Sequence, residues 1–157
     1  MKLVLAAMCV LAAVAAPVLT PAAAHAQPSS RQFLSPSGNV GCQLGTDSVG
    51  AAYAWCKVDE HAWAAPDSGY CPAANVPGAI GEPRGDDLQL SAGKSPCLGF
   101  VMSQLFFTGE YAPATLGYGQ QQSVGTITCA VEQSGVTCTD SSTGHFFVAS
   151  RDAYQLG

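Results

Sequence analysis

Six cysteines constrain this chain more than any other feature. Seven are present. Cys9 lies inside an apolar N-terminal leader, which leaves Cys42, Cys56, Cys71, Cys97, Cys129 and Cys138. An even set in a chain addressed to an oxidising compartment reads as three disulfides. No pair is spaced C-x-x-C, so neither a thioredoxin-type redox site nor a zinc knuckle is indicated. Spacing alone leaves every connectivity open, and strand geometry has to choose among them.

The leader sets the compartment. Met1-Lys2 is followed by an unbroken apolar run from Leu3 to Ala16, then Pro17, and Ala24-x-Ala26 is the small-residue pattern a signal peptidase reads. The run is shorter than the roughly 20 residues a membrane span needs. Lipid attachment at Cys9 does not fit, because Met8 rather than a small residue precedes it. The expectation is cleavage after Ala26, with residues 1–26 a signal peptide and residues 27–157 one secreted domain.

Two hairpins choose the bridges. Thr126–Thr139 alternates apolar and polar residues on both sides of Glu132-Gln133-Ser134-Gly135, as a half-buried hairpin requires. A four-residue loop with glycine last suits a type I turn ending at positive φ. That register opposes Val131 to Val136, Cys129 to Cys138 and Ile127 to Asp140. One face is then Ile127, Cys129, Val131, Val136 and Cys138; the other is threonine. Directly opposed cysteines lie within the Cα separation a disulfide tolerates. In Asn39–Val58 the same test opposes Cys42 to Cys56, Val40 to Val58 and Leu44 to Ala54, with Gln43 and Gly45 facing Trp55 and Tyr53 on the outer side. The longer connection Thr46–Ala52 holds that register less firmly. Cys71 and Cys97 pair by elimination, closing a loop rich in turn signals. Each bridge contributes about 2–4 kcal/mol, largely by restricting the unfolded chain.

Further strands are expected at Leu88–Ser91, Gln104–Thr108, Thr115–Tyr118 and His145–Ala149, and a short helix from Ser150 with Asp152 in its first turn. Gln27–Pro36 reads as a polar, proline-punctuated lead-in, ordered only from Phe33. No window keeps a 3.6-residue apolar period for three turns. The expected class is all-β, a small disulfide-stabilised sandwich or partial barrel of short antiparallel strands. At 157 residues there is room for one domain, and 48% hydrophobic against 11% charged residues rules out an unfolded chain. The net charge of −5 leaves no basic footprint for nucleic acid or anionic membrane.

Several blocks together carry a resemblance: Phe33-Leu34-Ser35-Pro36-Ser37-Gly38-Asn39-Val40-Gly41-Cys42; Trp63 and Pro66 ahead of Cys71; Leu116-Gly117-Tyr118-Gly119; Gly135-Val136-Thr137-Cys138; and Ser142–Tyr154, reading S-T-G-H-F-F-V-A-S-R-D-A-Y. In these the chain resembles a family of small secreted, disulfide-bonded proteins of actinobacteria, mycobacteria included. It departs from that pattern at Gly117, where the family often has proline, and at Phe146, where a second glycine after histidine is common. The resemblance implies export and disulfide bonding. It brings no activity, cofactor or catalytic residue.

Candidate chemistry is sparse. Asp59-Glu60-His61 carries metal-ligand types, but neighbours in an extended stretch point to opposite faces, so a solvated loop is the better reading. Gly85-Asp86-Asp87 starts like a calcium loop but lacks its later ligands. His145 follows the turn formers Ser142-Thr143-Gly144 and precedes an apolar strand; with Asp140 and a serine it offers the residue types of a hydrolase triad, yet there is no G-x-S-x-G elbow. A histidine that fixes the turn by hydrogen bonding is expected instead, and Ser150-Arg151 reads as a cap with a solvated or structural arginine. Trp55, Trp63, Tyr70, Tyr111 and Tyr118 divide between core and a binding surface. No cofactor and no catalytic or metal residue is expected, and His145, Arg151 and Tyr118 are the structural or binding candidates. The expectation is an exported, non-enzymatic module that binds an extracellular or cell-envelope protein or polymer through exposed loops. A small secreted hydrolase using His145 and a protease-inhibitor-like protein, presenting the Cys71–Cys97 loop, are the alternatives.

Overall fold

The computed structural model describes residues 30–64, 70–72, 87–99 and 112–157. The leader, Gln104–Thr108, Tyr111 and most of the Cys71–Cys97 loop lie outside the described residues. Among the described residues, ten strands form two antiparallel sheets, each a five-stranded meander in chain order. The first holds β1 (Arg31–Leu34), β2 (Val40–Thr46), β3 (Ala52–Val58), β4 (Asp87–Ser91) and β5 (Cys97–Leu98). The second holds β6 (Gln121–Val124), β7 (Ile127–Glu132), β8 (Gly135–Asp140), β9 (Phe146–Ala149) and β10 (Tyr154–Leu156). No helix occurs among the described residues.

The sheets face one another across a single core, and period-two patterning supplies it. Leu44, Ala54, Val58, Leu88, Leu90 and Leu98 of the first sheet meet Ile127, Val131, Val136, Phe147 and Ala149 of the second, all essentially inaccessible to water. Burying each of the larger side chains stabilises the fold by about 1.5–3 kcal/mol. On the outer face of β2 and β3 stand Gln43, Tyr53, Trp55 and Lys57. Gln43 donates to the Tyr53 hydroxyl at 2.9 Å, and the Tyr53 ring crosses Gly45, where any Cβ would collide with it.

Both hairpins adopt the registers that the alternation sets. Cys42 opposes Cys56 between Val40–Val58 and Leu44–Ala54, and Cys129 opposes Cys138 between Ile127–Asp140 and Val131–Val136. Each opposed pair is a disulfide, and Cys71 is bonded to Cys97. The β7–β8 turn is tighter than a four-residue loop. Glu132 still pairs with Gly135, so Gln133 and Ser134 alone form the tip. Gly135 has φ 142°, and a Cβ there would run into the Ala149 carbonyl. Only glycine fits that position.

Four expectations need correction. β1 starts at Arg31 rather than at Phe33, because Arg31 and Gln32 pair with Leu44 and Gln43. His145–Ala149 is a strand only from Phe146. Thr115–Tyr118 is not a strand. It crosses between the sheets, bonding Leu34 through Ala114 and Leu116 on one side and Val131 through Gly119 and Gln120 on the other. It therefore never lies along one partner for long, and the edge strand is the polar segment Gln121–Val124 instead. The helix after Ser150 does not form. The Ser150 hydroxyl donates to the Ala153 carbonyl at 2.7 Å and accepts from the Ala153 amide at 3.1 Å, closing a turn that returns the chain as β10 beside β9.

Candidate functional site

One end of the sandwich carries a concave cleft of about 520 Å³. Its walls are loops from both sheets: the β1–β2 turn (Ser35 to Asn39), Asp59 and Glu60 after β3, Tyr118 on the crossing segment, the β7–β8 turn, and Ser150 to Asp152 between β9 and β10. The volume falls within the range of small-molecule and side-chain pockets.

The walls are held by hydrogen bonds that run mostly to backbone groups of neighbouring loops. Asn39 donates through its side-chain amide to the Glu60 carbonyl at 2.9 Å and accepts from the Glu60 amide at 2.8 Å, tying the first turn to the end of β3. Trp63 donates to the Ser150 carbonyl at 3.0 Å, Ala62 donates to the Arg151 carbonyl at 2.8 Å, and the Trp63 ring packs edge-on against Tyr154. His61 stacks on Trp63 with ring centroids 3.8 Å apart, and its Nδ1 lies 2.7 Å from the Trp63 carbonyl. These ties span the two sheets and make the cleft a preformed shape.

Several of the facing side chains, by contrast, are unengaged. The Arg151 guanidinium and the Asp152 carboxylate make no hydrogen bond or ion pair among the described residues, and the Tyr118 hydroxyl makes none either. Tyr118 is 49% exposed, so about half of its ring faces solvent at the cleft. Among the other carboxylates, Asp59 lies 3.6 Å from Lys57 and Glu132 accepts a long bond from Ser134. Tyr118 and Arg151, far apart in sequence, thus line one cleft, joined there by Asp59 and Glu60.

The opposite end is organised in the reverse way. Asp140, at the close of β8, is fully buried. Its carboxylate accepts from the Gly93 amide at 2.7 Å, from the Ser142 amide at 3.0 Å and hydroxyl at 2.7 Å, and from the Thr143 hydroxyl at 3.1 Å. Burial by itself raises the Asp140 pKa, but the bonds from Gly93, Thr126 and Ser142 outweigh it and hold the carboxyl well below the usual range. Gly93 belongs to the β4–β5 turn, so this carboxylate stitches the first sheet to the second.

His145 sits beside that turn, and its imidazole does not reach the Asp140 carboxylate. Its Nδ1 lies 3.3 Å from the Gly157 carbonyl, its amide bonds the Thr143 hydroxyl, and its carbonyl accepts from the Asp140 amide. The imidazole therefore holds the end of β10 rather than the turn backbone. Asp140, Ser142 and His145 do not assemble as a triad.

Comparison with protein-family models, curated proteins and solved structures finds no match for this chain.

The remaining candidates scatter. Asp59-Glu60-His61 divides between the cleft and the Trp63 stack. Asp87 is buried at the start of β4. Trp63 and Tyr70 pack on the core, whereas Trp55 lies against Tyr53 outside it. Among the described residues, the group with closely spaced metal-ligand atoms is Cys42, Cys56 and Cys138, whose sulfurs are already committed to disulfides. The chain contains no helix long and apolar enough to cross a membrane among the described residues. Sequence reasoning undervalued Asp140. Its signal was present: an aspartate at an inward-facing hairpin position, followed by Ser142-Thr143-Gly144, needs donors from its own turn.

Proposed function

We propose that this protein is an exported, non-enzymatic binding module of the extracellular space or cell envelope, and that its ligand-facing surface is the cleft at the Tyr118 end. Export rests on the leader ending at Ala26 and on the resemblance to secreted actinobacterial proteins; the three disulfides accord with an oxidising compartment. The observation that carries the binding reading is the pairing of a preformed wall with unengaged side chains. Tyr118 offers a flat amphipathic ring, and Arg151 and Asp152 offer charge that no partner among the described residues uses. Loops pinned on a rigid scaffold lose little freedom on binding, which favours affinity. The hydrolase alternative draws on His145 with Asp140, but the Asp140 carboxylate binds Gly93, Ser142 and Thr143 while His145 Nδ1 lies against the Gly157 carbonyl.

The test is capture from culture filtrate and envelope fractions by immobilised parent, a Tyr118→Ala/Arg151→Ala variant and a surface variant outside the cleft. Support is a partner held by the parent and the outside variant and lost by the cleft variant. A partner held equally by all three contradicts the assignment of the cleft.

A further inference from the structure

The two hairpin disulfides do not merely lie in the same core; they touch. Cys56 Sγ and Cys138 Sγ, from β3 and β8 of opposite sheets, are 3.7 Å apart. The sulfurs of Cys42, Cys56 and Cys138 all lie within 4.8 Å of one another. All four residues of the two bridges are at most 1% exposed. The sequence signal is the same in each hairpin, one cysteine at the middle of each inward face, and the packing of the sheets brings the two middles together.

We propose that these four cysteines form one thiol–disulfide exchange unit, whose half-reduced state carries a disulfide between the sheets, Cys56–Cys138. The reductant is a dithiol. When local opening admits it, one of its thiolates attacks Cys129, the Cys129–Cys138 bond breaks, and the electron pair leaves on Cys138. The dithiol's second thiolate then displaces Cys129, which takes up a proton, and the dithiol ends as a disulfide. The Cys138 thiolate attacks Cys56, its contact across the core. The Cys42–Cys56 bond breaks, the electron pair leaves on Cys42, and Cys42 takes up a proton. Two electrons have entered; two disulfides have become one disulfide and two thiols, Cys42 and Cys129.

Entry through the other bridge converges on the same product. A thiolate released at Cys56 attacks Cys138 and expels Cys129. Once formed, the product is held more firmly against unfolding by chain topology. The two hairpin bridges close separations of 14 and 9 residues, whereas Cys56 and Cys138 are 82 residues apart. A bridge over a longer loop removes more freedom from the unfolded chain. Burial shields the product, because the two released thiols lie in the apolar core away from solvent oxidants. The consequence is a domain that answers partial reduction by locking its sheets to each other instead of losing a staple.

Two measurements decide this. In the parent, the full chain is treated with less than one equivalent of dithiothreitol per core bridge, quenched with acid, alkylated, and mapped by non-reducing peptide mass spectrometry. Molecules that retain one core disulfide are predicted to carry it mainly between Cys56 and Cys138, with Cys42 and Cys129 alkylated. Alkylation of Cys42 with Cys56, or of Cys129 with Cys138, as the main pattern overturns the proposal. The second is the full-chain variant Cys42→Ser/Cys129→Ser, oxidised in air and checked for native near-ultraviolet circular dichroism. It is predicted to form Cys56–Cys138 at least tenfold faster than Cys56→Ser/Cys138→Ser forms Cys42–Cys129. Free thiols at Cys56 and Cys138 in the folded variant contradict the contact. If the variant does not fold, the alkylation pattern of the parent alone decides.

Discussion

The two ends of the sandwich put polar residues to opposite uses. At the Asp140 end, the residue types that suggest chemistry, an aspartate, a serine, a threonine and a histidine, are taken up by one another and by the chain. Asp140 takes four hydrogen bonds from Gly93, Ser142 and Thr143, and His145 turns to Gly157. At the Tyr118 end the walls are tied by Asn39, Ala62 and Trp63, and the Tyr118, Arg151 and Asp152 side chains have no hydrogen-bond or ion-pair partner among the described residues. Residue type suggests where chemistry could be. Unengaged hydrogen-bonding capacity shows where a ligand could use it.

The contrast breaks most visibly at Asp140. Asp140→Ala removes the one acceptor shared by part-buried donors from both sheets, and the expected cost is roughly 2–4 kcal/mol. Urea unfolding measures it. A loss below about 1 kcal/mol would mean that the carboxylate is not the stitch between the sheets.

At the other end the backbone, not a side chain, is the sensitive element. Gly135→Ala places a Cβ against the Ala149 carbonyl at a positive φ, with an expected cost of about 1–3 kcal/mol. Thermal unfolding with partner capture separates a strained turn from a deformed cleft, and both are expected to suffer.

Acid sharpens the comparison. Asp140 in the fold binds its proton more weakly than in the unfolded chain, so its contribution is complete above the ordinary carboxyl range of about 4. As pH falls below that range, the unfolded chain takes up the proton first and stability declines. Asp140→Asn should flatten this decline in a pH series of urea midpoints. An unchanged slope would assign the acid sensitivity to other carboxylates.

Smaller effects are expected from the two side chains that first draw attention. His145→Ala loses one half-exposed bond to Gly157, about 0.5–1 kcal/mol, and lowers the melting temperature slightly. Tyr118→Ala touches no core and should stay within about 0.5 kcal/mol of the parent.

Much of the fold was legible because the hairpins carry their instructions locally. Alternation in Ile127–Glu132 and Gly135–Asp140 with cysteines at matching positions leaves one sensible register, and Val40–Thr46 with Ala52–Val58 repeats the logic. β6 was not legible, since Gln121-Gln122-Ser123-Val124 offers one apolar residue and owes its extended form to pairing with β7. The turn at Ser150 was misleading because serine caps helices and closes turns with the same hydroxyl, and only the edge of β9 decides between them. The cleft was legible in parts alone. Tyr118 and Arg151 stand out individually, but their meeting depends on the crossing segment 112–120 and on which way the β9–β10 turn folds.

The most direct test of this contrast is partner capture by three proteins side by side: parent, Tyr118→Ala/Arg151→Ala and His145→Ala, each also run through an esterase, peptidase and glycosidase panel. The account predicts capture by the parent and by His145→Ala, loss in the cleft variant, and silence throughout the panel. Undiminished capture by the cleft variant, or a parental hydrolytic activity that disappears in a stably folded His145→Ala, would contradict it.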